Sequence, residues 1–195
     1  MSEFLDEIIA RFCGKALSPV DFTALFRYLL IDYFSNSSNI LEPSLKDIVY
    51  TDDDTTQIII EAAGRWKPST GDHRPAILIS RGEWKVVPYM LGMNYIQGTE
   101  PSIYLRRYHG SHNIICVGKT PAQADILGGE VLHFFVGIIP VLRERLPISY
   151  LNVEGLSAIQ PFDEGRTHFI TTIPITYNFE LRWTIGITTS PEPEI

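Results

Sequence analysis

The stretch FITTIPITYNFELRWTIGI, residues 169 to 187, alternates apolar and polar positions almost without a slip. Its odd positions carry Phe169, Ile173, Ile175, Tyr177, Phe179, Leu181 and Trp183, with Thr171 the polar exception. Its even positions carry Thr172, Pro174, Thr176, Asn178, Glu180, Arg182 and Thr184. A period of two predicts a half-buried β-strand. At roughly 3.3 Å per residue this strand approaches ~60 Å, whereas a chain of this length has a radius of gyration near ~16 Å. Two outcomes remain open: the strand bends around one core, or part of it reaches a neighbouring chain through shared sheet or sheet packing. Pro174 cannot donate a ladder hydrogen bond, so a bulge, bend or sheet edge is expected there.

Elsewhere the periodicity changes. Ser18 as N-cap, Pro19 in the first turn and acidic Asp21 open a helix over about 19–34, and a shorter helix is expected over about 3–12. SNSSN at 35–39 reads as a linker. Strands are expected at 58–63 and 76–80, with 83–88 as the return of a hairpin turning at Arg81-Gly82. Two further strands are expected at 103–107 and 113–117. Thr120 and Pro121 start a long helix to about Leu146, with a bend expected near Gly128-Gly129 or Pro140. Another strand is read at 150–159.

That order predicts an α+β fold: a mixed or antiparallel β-sheet with a long helix packed on one face, a helical N-terminal extension and a long C-terminal strand. The expected division is a helical segment at 1–48, a core domain at 49–188 and a loose tail at 189–195.

The chain has 195 residues, 45% of them hydrophobic, which suffices for a sizeable core. A net charge of −7 argues against broad binding to DNA phosphates, while leaving room for DNA to pass an acidic surface without sticking. The two cysteines, Cys13 and Cys116, are read as unpaired thiols of a reducing compartment rather than a disulfide. The acidic, amphipathic N-terminus is not a signal peptide. Val131 to Leu142, the most apolar window, is too short to span a bilayer. The expectation is a protein made in a cytoplasm, with no membrane partner.

The chemistry-bearing motifs are weak. VGKT at 117–120 sits where a phosphate loop would, but Asn113 stands where that loop needs glycine, and helix capping by Thr120 explains the same letters. TDDDT at 51–55 lacks the alternating ligands and glycine of a calcium loop and reads as a solvated acidic loop. His109, His112 and Cys116 offer one loose pair, short of a four-ligand zinc site. Glu130 and His133 form a single ExxH without the second helix a carboxylate metal site needs. No catalytic residue, metal or cofactor is predicted. The aromatic and basic clusters GRWK with HRP (64–75) and YLRRYHG (104–110) suit nucleic-acid stacking, or, preferred at net −7, protein–protein anchoring, since Trp, Tyr and Arg dominate binding hot spots; a partly buried Trp and an exposed strand edge explain them equally well.

The passages HRPAILISRGEW (73–84), NIICVGKTPAQADILGGEVLHFFVGIIPVLRERL (113–146) and IPITYNFELRWTI (173–185) resemble the tail terminator (tail completion) proteins of long-tailed bacteriophages. The resemblance covers roughly the second two-thirds of the chain. It implies a virion protein of the neck: a hexameric ring that caps the tail tube, joins the head-side connector and lets DNA through its lumen. Candidate interface residues are Trp66, Arg74, Trp84, Arg106, Arg107, Tyr177, Phe179, Arg182 and Trp183. Candidate lumen acids are Asp52, Asp53 and Asp54. Competing readings are another neck, head-completion or tube-related ring protein, or a small ligand-binding or enzymatic α+β domain.

Overall fold

A computed structural model describes Ala10 and residues 18–53, 55–66, 74–87, 95–96, 102–162 and 167–185; at 95–96, 102–106 and 181–185 it describes the backbone alone. The chain folds as α+β. Helix α1 spans Pro19–Phe34 and α2 spans Pro121–Arg145, with a short 3-10 turn at Pro43–Leu45. The strands are β1 (Ile59–Ala62), β2 (Ala76–Val87), β3 (Tyr95–Ile96), β4 (Ser102–Gly118), β5 (Ile148–Val153), β6 (Gln160–Pro161) and β7 (Phe169–Ile185). They form one mixed sheet in the order β1-β2-β4-β7-β5, with β3 added to β4 and β6 to β7. Only β1 and β2 run parallel; the other pairs are antiparallel.

Both helices begin where the sequence places their caps. Ser18 and Asp21 bond reciprocally: Ser18 N donates to Asp21 Oδ2 at 2.7 Å, and Asp21 N to Ser18 Oγ at 3.3 Å. Thr120 Oγ1 accepts from Gln123 N at 3.1 Å, and Gln123 Oε1 accepts from Lys119 N at 2.8 Å. The letters VGKT are therefore a helix start. A Cβ on Gly118 would lie 2.6 Å from Ala124 N, so glycine lets the strand end approach the first helical turn.

The two helices cover one face of the sheet, α1 over β1 and β2, α2 over β4, β5 and β7. The odd positions of β7 face them: Ile173, Ile175, Tyr177 and Phe179 are buried, while Thr172, Thr176, Asn178 and Glu180 are half-buried on the other face. Phe22, Leu25, Phe26, Leu29 and Leu30 of α1 join that same core. Each such side chain contributes about 1.5–3 kcal/mol on burial. Helix α1 is thus integral to the core rather than an appendage at 1–48. The expected helix at 3–12, Ala10 aside, and the tail at 189–195 lie outside the described residues.

Three expectations are corrected. Arg81-Gly82 is not a hairpin turn, because β2 continues through it. The register against β4 shifts between Arg81 and Trp84. This bulge reverses the alternation and carries Trp84 to the helix face, where its ring centroid lies 4.8 Å from Phe179 and 5.9 Å from Phe22. The strands expected at 103–107 and 113–117 are one strand of 17 residues. The strand expected at 150–159 is β5, ending at Val153.

Pro174 sits within β7 without breaking it. Its carbonyl accepts from Glu154 N at 3.0 Å, so its backbone polar groups point toward β5, beyond that strand's last residue, Val153. The β4 ladder on the opposite side loses no donor, and Pro174 stays in register with Asn113.

Gly110 is opposite Tyr177 on the helix face, and a Cβ there would lie 2.6 Å from the Tyr177 ring and 2.9 Å from Trp84. Gly110→Ala should destabilise the fold by about 1–3 kcal/mol. Gly129→Ala, at a helical position where nothing lies within 4 Å, should stabilise it by about 0.5–1 kcal/mol. Denaturant unfolding of both variants checks the pair; opposite signs are required, and a neutral Gly110→Ala would show that the aromatic layer has slack.

Candidate functional site

Two buried polar groups fix α1 at its two ends. His112, on β4, is wholly buried. Its Nε2 lies 2.9 Å from Thr23 Oγ1, and its Nδ1 lies 2.8 Å from the Tyr177 hydroxyl. Thr23 gives its hydroxyl hydrogen to the Pro19 carbonyl at 3.1 Å. Donor counting then sets the tautomer: Nε2–H donates to Thr23, and Tyr177 O–H donates to Nδ1. Burial first, and then the charge of Arg81, push the His112 pKa down to about 4, so the imidazole is neutral.

At the other end of α1, Glu130 of α2 is 3% exposed. Its carboxylate accepts from Tyr33 Oη at 2.5 Å, Leu41 N at 2.7 Å and Glu42 N at 3.1 Å. Burial, together with this carboxylate, raises the Tyr33 pKa and keeps the phenol protonated as a donor. Three donors on one carboxylate pin the 35–45 connection against α2, which neither periodicity nor motif could indicate.

Outside these ties runs a groove. One hollow of about 360 Å³ lies among Tyr33, Leu41, Phe134, Ile138 and Val141. A second, of about 310 Å³, lies among Leu41, Glu42, Ile126, Gly129 and His133, with Glu130 at its base. The two are neighbours along α2, sharing Leu41 and His133. Leu41 and Val136 are 70% and 55% exposed.

The second surface is the far end of the ladder. β2 stops at Val87, opposite Arg107, and β5 starts at Ile148, opposite Phe179. The β4·β7 pairing continues for five more pairs, from Arg106↔Leu181 to Ser102↔Ile185, with β3 alongside at Ile103 and Tyr104. This arm projects about 16 Å past the body of the sheet.

The expected interface residues do not form one patch. Tyr177 and Phe179 are buried in this chain's own core, at 0% and 1% exposure, and Trp84 packs beside them. Reading them as surface anchors is corrected: alternation marks a core face as readily as a docking face. Trp66 packs on Phe162, ring centroids 6.2 Å apart, over a small cluster on the other face of the sheet. Arg74 precedes β2 at that same end, remote from the arm. Arg106, Arg182 and Trp183 belong to the arm, where only backbone is described. Arg107 Nη2 donates to Glu180 Oε1 at 2.7 Å at the arm's root.

Asp52 and Asp53 are exposed in the loop before β1, and Asp54 lies outside the described residues. Asp53 accepts from the Thr55 and Thr51 hydroxyls and from Thr55 N, which holds its pKa below the usual carboxylate value. The His109, His112 and Cys116 trio is split. His109 bonds Asn178 at 2.9 Å on the other sheet face, and Cys116 is a buried thiol whose pKa burial raises. Among the described residues, no three His, Cys, Asp or Glu side chains gather as a metal site.

Neither a scan against protein-family models nor a search of curated proteins finds a match.

The neutral His112 has a pH consequence. Its folded pKa is depressed from 6.5 to about 4, so between those values the unfolded chain binds more protons and stability rises with pH. The contribution is complete above pH 6.5 and is lost as pH falls toward 4, a change of about 3 kcal/mol. Unfolding midpoints measured from pH 4 to 7 should show this slope, and His112→Gln should flatten it.

Proposed function

We propose that this chain is a tail terminator: a structural virion protein of a long-tailed phage that closes as a hexameric ring on the tail tube. In this reading the ring joins the tube to the head-side connector, and DNA passes through its lumen. The observation that carries the reading is the arm. Among the described residues β7 has only β4 beside it at 181–185, so its outer backbone N–H and C=O groups there form an open sheet edge that another chain can extend. Another copy of the same chain supplies that extension repeatedly, and a head-to-tail contact of unlike faces closes into a ring when the rotation permits.

Charge supports the same reading. At net −7 the protein repels DNA phosphates at its surface. The loop carrying Asp52, Asp53 and Asp54 concentrates three carboxylates in a row, so we assign it to the lumen. A hexamer of this sequence carries six such loops, and that ring of charge keeps DNA in transit from adhering. No catalytic group, cofactor or metal enters the proposed role.

Light scattering on the purified protein, alone and with isolated tail tubes, tests the ring. A six-fold mass in either condition is expected; a monomer that ignores tubes overturns the reading and turns attention to ligands of the groove. Replacing Asp52, Asp53 and Asp54 by Lys should leave the ring mass unchanged and hinder DNA delivery. Full infectivity of such particles would remove the loop from the lumen.

A further inference from the structure

We propose that the outer edge of β5 pairs antiparallel with the same edge of a second copy of this chain, holding the free protein as a two-fold pair. This contact stands apart from the ring reading above. The sheet ends in two edge strands, β1 and β5, and they differ in how they are guarded. At β1, Ile59 N donates to Pro75 O and Ala63 N to Ile79 O, so Ile60 and Ala62 turn their backbone groups away from β2. Arg27 Nε donates to the Ile60 carbonyl at 3.1 Å, and Arg65 N to the Ala62 carbonyl at 2.9 Å. Both outward acceptors of β1 are thus satisfied within the chain. Where β2 runs on past β1, it carries exposed Arg81, Glu83 and Lys85 beside its bulge, devices that keep an edge from pairing.

The β5 edge lacks such guards. Ser149 to Val153 holds no charge and no proline, and its register irregularity lies at its start, between Ile148 and Tyr150. Glu154 N donates to Pro174 O at 3.0 Å. The ladder alternates from there: Asn152 and Tyr150 bond β7 opposite Thr176 and Asn178, while Leu151 and Val153 turn their N–H and C=O groups outward. Matching Leu151 with Val153 of the other copy, and the reverse, uses all of these outward groups and puts a two-fold axis at Asn152. The charges at the strand's ends select that direction. Arg143 and Arg145, around Glu144, close α2 just before β5, and Glu154 follows it, all of them exposed. Antiparallel pairing brings each Glu154 toward the other copy's arginines and opposite its Tyr150, which is 44% exposed. Parallel pairing would set like ends together.

The test uses the purified full chain without tail tubes, its mass followed against concentration. One strand pair is a small contact, so a two-fold species that dissociates on dilution is expected. In a Cys13→Ser background, where Cys116 is buried and stays silent, oxidised Asn152→Cys should link two copies. Tyr150→Cys should not, because its counterpart lies about 13 Å away along the paired strands. Asn152→Lys and Asn152→Asp each place like charges on the axis and should weaken the pair about tenfold or more. Mixing these two variants should restore it, a rescue that a misfolded variant could not give. A monomer at every concentration overturns the contact, as does a two-fold mass with neither the Asn152→Cys link nor the rescue. A six-fold mass that both charge variants leave unchanged supports the ring and overturns the pair. A free monomer whose binding to tail tubes is lost in Asn152→Lys reassigns the β5 edge to a tube protein and overturns it too. A pair that forms as expected but gives no ring on tubes sinks the ring reading alone.

Discussion

Everything in this fold is referred to the pairing of β4 with β7. The two strands meet over 17 residues each and occupy the middle of the sheet; β2, β3, β5 and β6 are added to one or the other, and β1 to β2. A slip of one residue would turn the aromatic face to solvent. Both faces of the ladder resist that slip. On the helix face, Gly110 leaves room for Tyr177 and Trp84, and only a glycine tolerates the approach. On the other face, Arg107 meets Glu180 and His109 meets Asn178, so mismatched neighbours would separate charges and hydrogen-bonding groups. The ladder is long because its register is secured at the body, and what extends beyond the body inherits that register.

The buried polar groups act on a different scale. Desolvation offsets most of what the bonds of His112 and Glu130 return at neutral pH, and protonation of His112 below pH 6.5 costs stability outright. Their effect is positional. His112 ties β4 and β7 to the first turns of α1 through Thr23, and Glu130 ties α2 to the last turn of α1 through Tyr33. An apolar substitute at either position would let α1 slide along the sheet without losing its hydrophobic cover. Held at both ends, α1 sets where Leu41 and Glu42 fall and hence the shape of the groove beside α2. The core's polar ties and the outer surface are therefore linked through the 35–45 connection.

How much of this was legible in the sequence depends on the range of the interaction. The alternation in 169–187 and the caps at Ser18 and Thr120 are local, and they identified β7, α1 and α2 closely. The bulge at Arg81-Gly82 was read as a turn because Gly permits both, and only the register against β4 distinguishes them. The strands expected at 103–107 and 113–117 are continuous through Gly110, a residue whose purpose is set by rings on two other strands. Tyr177 and Phe179 look the same in sequence whether a helix of their own chain or a neighbour covers them. Glu130 shows in sequence only as half of an ExxH pair, while its partners lie about 90 residues earlier in the chain. Local pattern reached the elements and stopped short of their pairing.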